Sequence, residues 1–393
     1  MDLKSAIYNL SKEYMPEITG IRRHIHANPE LSFKEFQTAS YVAETLRSMG
    51  IEFQEGVADT GLVGLIKGKN PESRVVALRA DMDALPIVEK TGADYASNNP
   101  GVMHACGHDV HTSSLLGAAK ILSATREHWQ GTIKLIFQPG EEKLPGGASL
   151  MIRDGVLENP RPGGIIGQHV FPDLPAGKVG FKPGLYMASA DEIYMTITGR
   201  GGHGAMPHKN IDPILIASHV IIALQQVVSR NSDPTMPCVL SFGKIEGLGA
   251  TNIIPNEVKL EGTFRTLNEE WRFKAHDYIR TITQSVVEGM GGKVHIDLQV
   301  GYPFLVNDHD LTLKSKTLAE DYLGAENVVD LSLRMTAEDF AYYSQVLPGN
   351  FYRLGTASSD GTNTYPLHHP QFNIDEKALE TGMGLMAWLG AGV

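Results

Sequence analysis

Val75-Val76-Ala77-Leu78-Arg79-Ala80-Asp81-Met82-Asp83 opens apolar and closes acidic. Its first four residues do not alternate with polar ones, so they read as a strand buried on both faces. Two further strands follow: Ile133 to Phe137 is stopped by Pro139-Gly140, and Ile165-Ile166 leads into His169. Between the first two runs, Leu115, Leu116, Ala119 and Leu122 predict a helix that begins just after His111. Residues 1–70 open with a helical pattern, and Ser32 to Met49 reads as a second helix. Strands alternating with helices predict an α/β fold with a mostly parallel sheet.

Open α/β sheets bind ligands in the crevice outside the carboxyl ends of their strands. Asp81 and Asp83, Glu141 and Glu142, and His169 all stand at such ends. Nearby, Met103-His104-Ala105-Cys106-Gly107-His108-Asp109-Val110-His111 gathers a cysteine and three histidines in a chain with only 2 cysteines. Thiolate and imidazole are what a zinc-like divalent ion selects. A lone buried cysteine is ordinarily a small hydrophobe. Here Gly107, between Cys106 and His108, lets the chain fold tightly around an ion. His104 and His111 read as residues that orient ligands rather than as ligands. Adjacent side chains diverge, so one of Glu141 and Glu142 can bind metal while the other faces the bound water. A hydrolase needs that division, a Lewis acid to acidify water and a carboxylate to take its proton. In Pro366-Leu367-His368-His369-Pro370 either imidazole could point inward, and Asp81 and Asp83 fit as ligands, orienting groups or helix caps.

Near Met187 the pattern changes. Ile193, Met195 and Ile197 alternate with polar residues, Ile214 to Val228 is a long amphipathic helix, and Val239 to Ile245 is a strand. Val258, Leu260 and Phe264 alternate again, Trp271 to Val287 is helical, and Val294, Ile296, Leu298 and Val300 form a last strand. This is the split βαβ, ferredoxin-like order. It predicts an inserted α+β domain over 187–302, a lid or dimerisation module, within a discontinuous catalytic domain of 1–186 and 303–393. Gly201-Gly202-His203-Gly204 follows its first strand and leaves an imidazole projecting. Asn252 and Arg265 belong to the same domain; an outward arginine is either a solvated charge or a bidentate grip on a substrate carboxylate.

Bulk properties narrow the function. The chain has 393 residues and a formal net charge of −11, and no Lys/Arg cluster stands out, which argues against nucleic acid as a partner. Met1-Asp2-Leu3-Lys4 lacks a basic patch followed by an apolar run, and no apolar stretch reads as long enough to span a bilayer. A reducing cytoplasm is the simplest setting for Cys106 in a ligand-like context.

Several of these strings occur together, in order, in one known group. They are Arg22-Arg23-His24-Ile25-His26 with Pro29-Glu30-Leu31, Leu78 to Pro86, the His104–His111 cluster, Gln138-Pro139-Gly140-Glu141-Glu142, and Gly167-Gln168-His169-Val170. Gly202-His203, Asn252-Ile253-Ile254-Pro255, Thr336-Ala337-Glu338-Asp339-Phe340 and Leu367-His368-His369-Pro370 complete the series. Over almost its whole length the chain resembles the amidohydrolase branch of the aminoacylase/carboxypeptidase metallopeptidase family. Hippurate hydrolases, N-acetyl-amino-acid deacetylases and plant auxin-conjugate hydrolases belong to that branch.

The resemblance implies a site for two divalent metal ions with Cys106, His108, Glu142, His169 and His368 as ligands. It puts Glu141 at the general base, His203 at the tetrahedral oxyanion, often across a dimer, and Asn252 and Arg265 near the substrate carboxylate. Asp83 is taken with Glu141 and His203 as part of the catalytic set. A cysteine in place of the bridging aspartate of the carboxypeptidase branch favours an amidohydrolase over a peptidase. The expected reaction is cleavage of the amide of an N-acyl-L-amino acid to a carboxylic acid and a free amino acid. Zinc, manganese, nickel or cobalt would suit the ligands. The rivals are a dipeptidase or carboxypeptidase using the same site, and a metal-binding protein without catalysis; the intact Glu141 speaks against the latter, since storage needs no base. The expected partners are a small-molecule substrate and a second copy of the chain.

Overall fold

The buried runs become neighbouring strands in a computed structural model that describes residues 2–358, 360–361 and 365–393. The chain divides into two compact units. One comprises Met1–Tyr186, Val306–Ser332 and Asp339–Val393, the other Met187–Leu305 and Leu333–Glu338. The short segment Leu333–Glu338 thus belongs with the insertion, although it lies outside the expected 187–302.

The first unit opens with helices α1 (Leu3–Ala27) and α2 (Phe36–Ser48) and the hairpin β1 (Glu52–Val57) and β2 (Gly61–Lys67). Then come β3 (Val75–Asp81), α3 (His108–Ala124), β4 (Thr132–Gln138), α4 (Gly147–Arg153), β5 (Gly164–Pro175), β6 (Val179–Phe181) and β7 (Gly184–Met187). The second unit follows the split βαβ order: β8 (Asp191–Thr198), the short β9 (Gly202–His203), α5 (Pro213–Gln226), β10 (Cys238–Glu246), the short β11 (Ile253–Ile254), β12 (Glu257–Thr266), α6 (Glu269–Gly289) and β13 (Lys293–Val300). Its antiparallel sheet has the order β10-β12-β8-β13. Ile193, Met195, Ile197, Val258, Leu260 and Phe264 form one buried cluster with Ile216, Val220 and Leu224 of α5 and Ala275, Ile279 and Val287 of α6. The alternation of apolar residues along each strand therefore becomes a single helix-covered face.

The chain returns through β14 (Leu305–Asn307), α7 (His309–Leu323), β15 (Val328–Asp330), α8 (Ala341–Ser344), β16 (Gly349–Ala357) and α9 (Ala378–Gly392). The first unit's sheet runs β1-β2-β4-β3-β5-β16-β6-β15. Its middle strands β4, β3, β5 and β16 are parallel, with antiparallel pairing toward both edges. Every residue of β4 is buried, including Lys134, whose Nζ donates to the Val156 and Glu158 carbonyls at 2.9 and 2.6 Å. Helices α1, α3 and α9 pack on one another. Their core includes Ile18, Ile25, Leu115, Leu116, Leu122, Met383 and Met386. Each such side chain contributes about 1.5–3 kcal/mol on burial.

Four local expectations are corrected. Helix α3 begins at His108, not after His111, because Gly107 adopts φ +80° and turns the chain into the helix there. Helix α2 begins at Phe36 rather than Ser32. Glu30 reaches forward to cap it, accepting the amides of Gln37 and Thr38 at 3.1 and 2.9 Å. Strand β5 continues well past His169, because β16 pairs with it as far as Pro175. Lastly, Pro213–Asn231 is long and apolar enough by composition to cross a bilayer. In the fold it lays Ile216, Ala217, Val220, Leu224 and Val227 on its own sheet and leaves its other face exposed.

Candidate metal centre and catalytic site

In the first unit, the parallel register puts Asp81 of β3 opposite Gln138 of β4, and Arg353 of β16 opposite His169 of β5. The loops leaving β3 and β4 and the N-terminus of α3 therefore converge on one end of the sheet. Gly107 permits this closely: a Cβ there would lie 2.5 Å from the Val170 side chain.

Asp83 accepts the Nδ1–H of His108 at 3.1 Å, and no hydrogen bond reaches the buried His108 Nε2 from the described residues. That nitrogen lies 3.7 Å from Asp81 and 4.0 Å from both Glu141 and Glu142. Burial opposes a charge on His108, but Asp81, then Asp83 and Glu142, outweigh it and push its pKa up to about 10. The surroundings thus favour positive charge at Nε2, which a proton or a metal ion supplies.

His169 donates Nδ1–H to the Val170 carbonyl at 2.8 Å and turns Nε2 toward Cys106 Sγ, 3.5 Å away. Burial, and then Arg353, hold this imidazole well below its usual range, so it is neutral, with the lone pair on Nε2 facing the Cys106 sulfur. Burial also pushes the Cys106 thiol well up, and Glu142 and Glu141 add to it. A thiolate in that setting needs a cation beside it.

His368 comes from the far end of the chain. Its backbone stands at φ +63°, and its amide donates to the Ala105 carbonyl at 2.8 Å, tying it to the Cys106 loop. Its Nε2 is 3.2 Å from Glu142 Oε1, yet that buried oxygen makes no hydrogen bond with any described residue. At that distance the two atoms form an ion pair when the imidazole is protonated and can share a cation when it is not. His369 instead stacks on Tyr365, with ring centroids 4.6 Å apart.

The donor atoms fit metal. Those of Cys106, His108 and His169 lie within 4.8 Å of one another, and so do those of Cys106, Glu142 and His368. The two groups share Cys106. The ligand-set chemistry, two imidazoles with a thiolate in one group and imidazole, carboxylate and thiolate in the other, is that of a zinc-like divalent ion.

The remaining residues of the cluster have other contacts. Asp83 Oδ2 accepts Ser32 Oγ–H at 2.6 Å and the Glu142 amide at 3.0 Å, so Asp83 stands behind His108 and orients it. His111 donates to Asp81 at 2.6 Å and accepts the Val170 amide at 2.9 Å, which occupies both ring nitrogens and pins β5 beside β3. His104 is buried, and neither ring nitrogen has a hydrogen-bond partner among the described residues.

Glu141 is buried beside this set, and its carboxylate accepts the Asp339 amide at 3.4 Å. Asp339 is in turn held by Arg79 Nη2, Gln138 Nε2 and the Ala148 amide, at 2.8, 2.8 and 2.9 Å. Sequence reading quoted Arg79, Gln138 and Asp339 inside motifs without giving them a role. The available signal was a charged residue, Arg79, in an otherwise apolar buried strand.

The second unit brings His203 and Asn252 together. β9 pairs with β11 so that His203 faces Ile253, and the Gly204 amide donates to the Asn252 carbonyl at 2.9 Å. A Cβ on Gly201 would lie 2.4 Å from the Ile254 carbonyl, and one on Gly202 would lie 2.3 Å from the Asn210 side chain. The exposed His203 ring accepts the Ala205 amide on Nδ1 at 3.0 Å, which places its proton on Nε2 as an outward donor. Arg265 lies off this ribbon, on β12. It is half-buried, and its Nη1 is buried without a hydrogen-bond partner among the described residues.

The model of peptidase family M20/M25/M40 matches residues 77–389. N-acetyl-L-cysteine deacetylase of Bacillus subtilis strain 168 is 41% identical over 363 residues, covering 92% of this chain and 85% of that protein. IAA-amino acid hydrolase ILR1-like 5 of Arabidopsis thaliana is 41% identical over 383 residues, covering 96% of this chain and 87% of that protein. The crystal structure of the Bacillus subtilis YXEP protein, described as a dinuclear metal binding peptidase from the M20 family, superposes with a TM-score of 0.79 at 33% identity. It covers 97% of this chain and 98% of its own. The chain belongs to the M20/M25/M40 peptidase family and is a metal-dependent amide hydrolase.

Proposed function

We propose that this enzyme hydrolyses the amide bond of N-acyl-L-amino acids, releasing a carboxylic acid and a free amino acid. The observation that carries the reading is the buried pair His108 Nε2 and Glu142 Oε1, neither with a hydrogen-bond partner among the described residues, beside Cys106 and Glu141. The two relatives named above, a deacetylase of an N-acetyl amino acid and a hydrolase of amino-acid conjugates, support the substrate class.

Cys106, His108, Glu142, His169 and His368 would hold two divalent ions, which supply Lewis acidity to polarise the amide carbonyl and acidify water. Glu141 is the general base: its carboxylate takes the water's proton and returns it to the departing nitrogen. Asp83 keeps the His108 proton on Nδ1, and the Val170 carbonyl does the same for His169. His203 donates its Nε2–H to the oxyanion, and Arg265, whose Nη1 has no hydrogen-bond partner among the described residues, reads the substrate carboxylate with Asn252. Zinc suits the thiolate and imidazoles; manganese, nickel and cobalt suit the imidazoles and carboxylate. Both cysteines are free, which fits a reducing cytoplasm.

The enzyme works as a homodimer formed through the inserted unit. Helix α5 leaves Leu215 and Ile222 exposed, Ile222 to 70%, and the edge strand β10 leaves Ile245 exposed with Leu248 just beyond it. Apolar residues on a sheet edge and an adjacent helix are a surface that a second copy covers. Light scattering should give a dimer that Leu215→Lys with Ile222→Lys converts to monomer.

A panel of N-acetyl-, N-benzoyl- and indole-acetyl-amino acids, run beside unblocked dipeptides on metal-reconstituted enzyme, tests the substrate class. Turnover of the N-acyl-amino acids above the dipeptides is expected; the reverse order would make the enzyme a dipeptidase.

A further inference from the structure

The turn between Pro29 and α2 contributes no candidate ligand, yet it touches both halves of the site. Ser32 Oγ donates to Asp83, the aspartate that orients His108. Phe33 stands at φ +65°, a left-handed backbone that a bulky residue adopts only when its surroundings hold it there. Its ring fills the space beside Gly140: a Cβ on Gly140 would lie 2.3 Å from it. Gly140, at φ +59°, immediately precedes Glu141 and Glu142.

Glu35 closes this arrangement. It is fully buried, and its Oε1 accepts both the Phe33 amide at 2.8 Å and the Gly140 amide at 2.9 Å. Its Oε2 accepts the Thr60 hydroxyl at 2.7 Å. Burial, and then the nearby Asp83, push this carboxyl up to about 7. The Phe33 amide, the Gly140 amide and the Thr60 hydroxyl are neutral donors, and the two amides belong to residues at left-handed positions. Its contacts therefore determine backbone shape rather than charge balance.

We propose that Glu35 is a positioning residue: by gripping the Gly140 amide from behind, it fixes the peptide that sets where Glu141 and Glu142 stand. The inference rests on the reading of Glu141 as base and Glu142 as ligand. It requires reach and an acceptor oxygen but no charge. Glutamine keeps both, since its carbonyl can take the two amides while its NH₂ donates to Thr60. Aspartate keeps the charge but is one methylene short of Gly140.

The test compares Glu35→Gln, Glu35→Asp and Glu141→Gln in the full, metal-reconstituted enzyme on the N-acyl-amino acid that the unaltered enzyme turns over best. Metal content, thermal unfolding, kcat and KM are measured for each. Glu35→Gln should stay within a few-fold of the unaltered kcat. Glu35→Asp should fold, yet lose about 10–100-fold in kcat at saturating metal and bind metal more weakly, as is typical for groups supporting a ligand shell. KM should change little. An active Glu35→Asp, or a Glu35→Gln as impaired as Glu35→Asp, would overturn the positioning role while leaving the base assignment intact. Full activity of Glu141→Gln would remove the base assignment, and the role of Glu35 with it.

Discussion

Asp83 Oδ1 accepts the Nδ1–H of His108 at 3.1 Å, and this one bond decides which face of the imidazole is free. A carboxylate can only accept, so Nδ1 carries a proton, and Nε2, which faces Glu141 and Glu142, is the nitrogen that a metal ion or a second proton occupies. Removing the acceptor should loosen the ring rather than the fold. Asp83→Ala is expected to weaken metal binding by about 10–100-fold, as for other orienting partners of metal ligands. A competition titration against a chromogenic chelator measures it; unchanged affinity would show that Asp83 does not orient the ligand.

Adjacent acids have separate tasks. Glu141→Gln should keep its metal and its KM while kcat falls by roughly 10²–10⁴, the range for a lost general base. Glu142→Gln should lose metal occupancy. Metal analysis beside steady-state kinetics separates the two, and exchanged phenotypes would reverse the roles.

Cys106 is buried and surrounded by carboxylates, so its thiolate should exist only with a cation beside it. Alkylation by iodoacetamide, followed by mass spectrometry, should be slow at Cys106 in the metal-loaded protein and faster after chelation. Cys238, which is partly exposed, serves as the internal control. Equal rates at Cys106 in both forms would exclude it as a ligand. Cys106→Ser should bind metal weakly, because a neutral hydroxyl replaces the thiolate poorly.

The inserted unit carries an imidazole with its proton on Nε2 and a guanidinium whose Nη1 has no hydrogen-bond partner among the described residues. His203→Ala should lower kcat by roughly 10²–10³, the cost of one oxyanion donor, with metal content unchanged. Replacing the substrate carboxylate by a primary amide should lower kcat/KM, and Arg265→Ala should erase most of that preference. Equal turnover of acid and amide by the unaltered enzyme would remove the carboxylate-reading role.

Much of this was legible in the residues because burial writes itself into periodicity. The unbroken apolar run Val75–Leu78 of β3 and the alternation along β8 and β12 marked a buried parallel sheet and a one-faced insertion. Cys106, His108 and Glu142 were legible because few structural demands place a thiol, an imidazole and paired acids at strand ends. What was not legible depends on contacts between distant segments. Nothing local says that Glu30 caps α2, or that Glu35 grips Gly140, since the partners are only brought together by folding. Asp339 likewise acquires its role from Arg79, Gln138 and Glu141, each about two hundred residues or more away in the chain. No local pattern separates His368 from His369; the backbone of His368 is left-handed and the His369 ring stacks on Tyr365 only because distant segments meet in the fold.

The most direct test is hydrolysis of an N-acyl-amino acid by protein stripped of metal, assayed for residual metal, and then reloaded with zinc, manganese, nickel or cobalt in turn. The account predicts that activity disappears with the metal, returns with at least one of these ions, and reaches its plateau at two ions per chain. Full turnover by protein verified to be metal-free would contradict it.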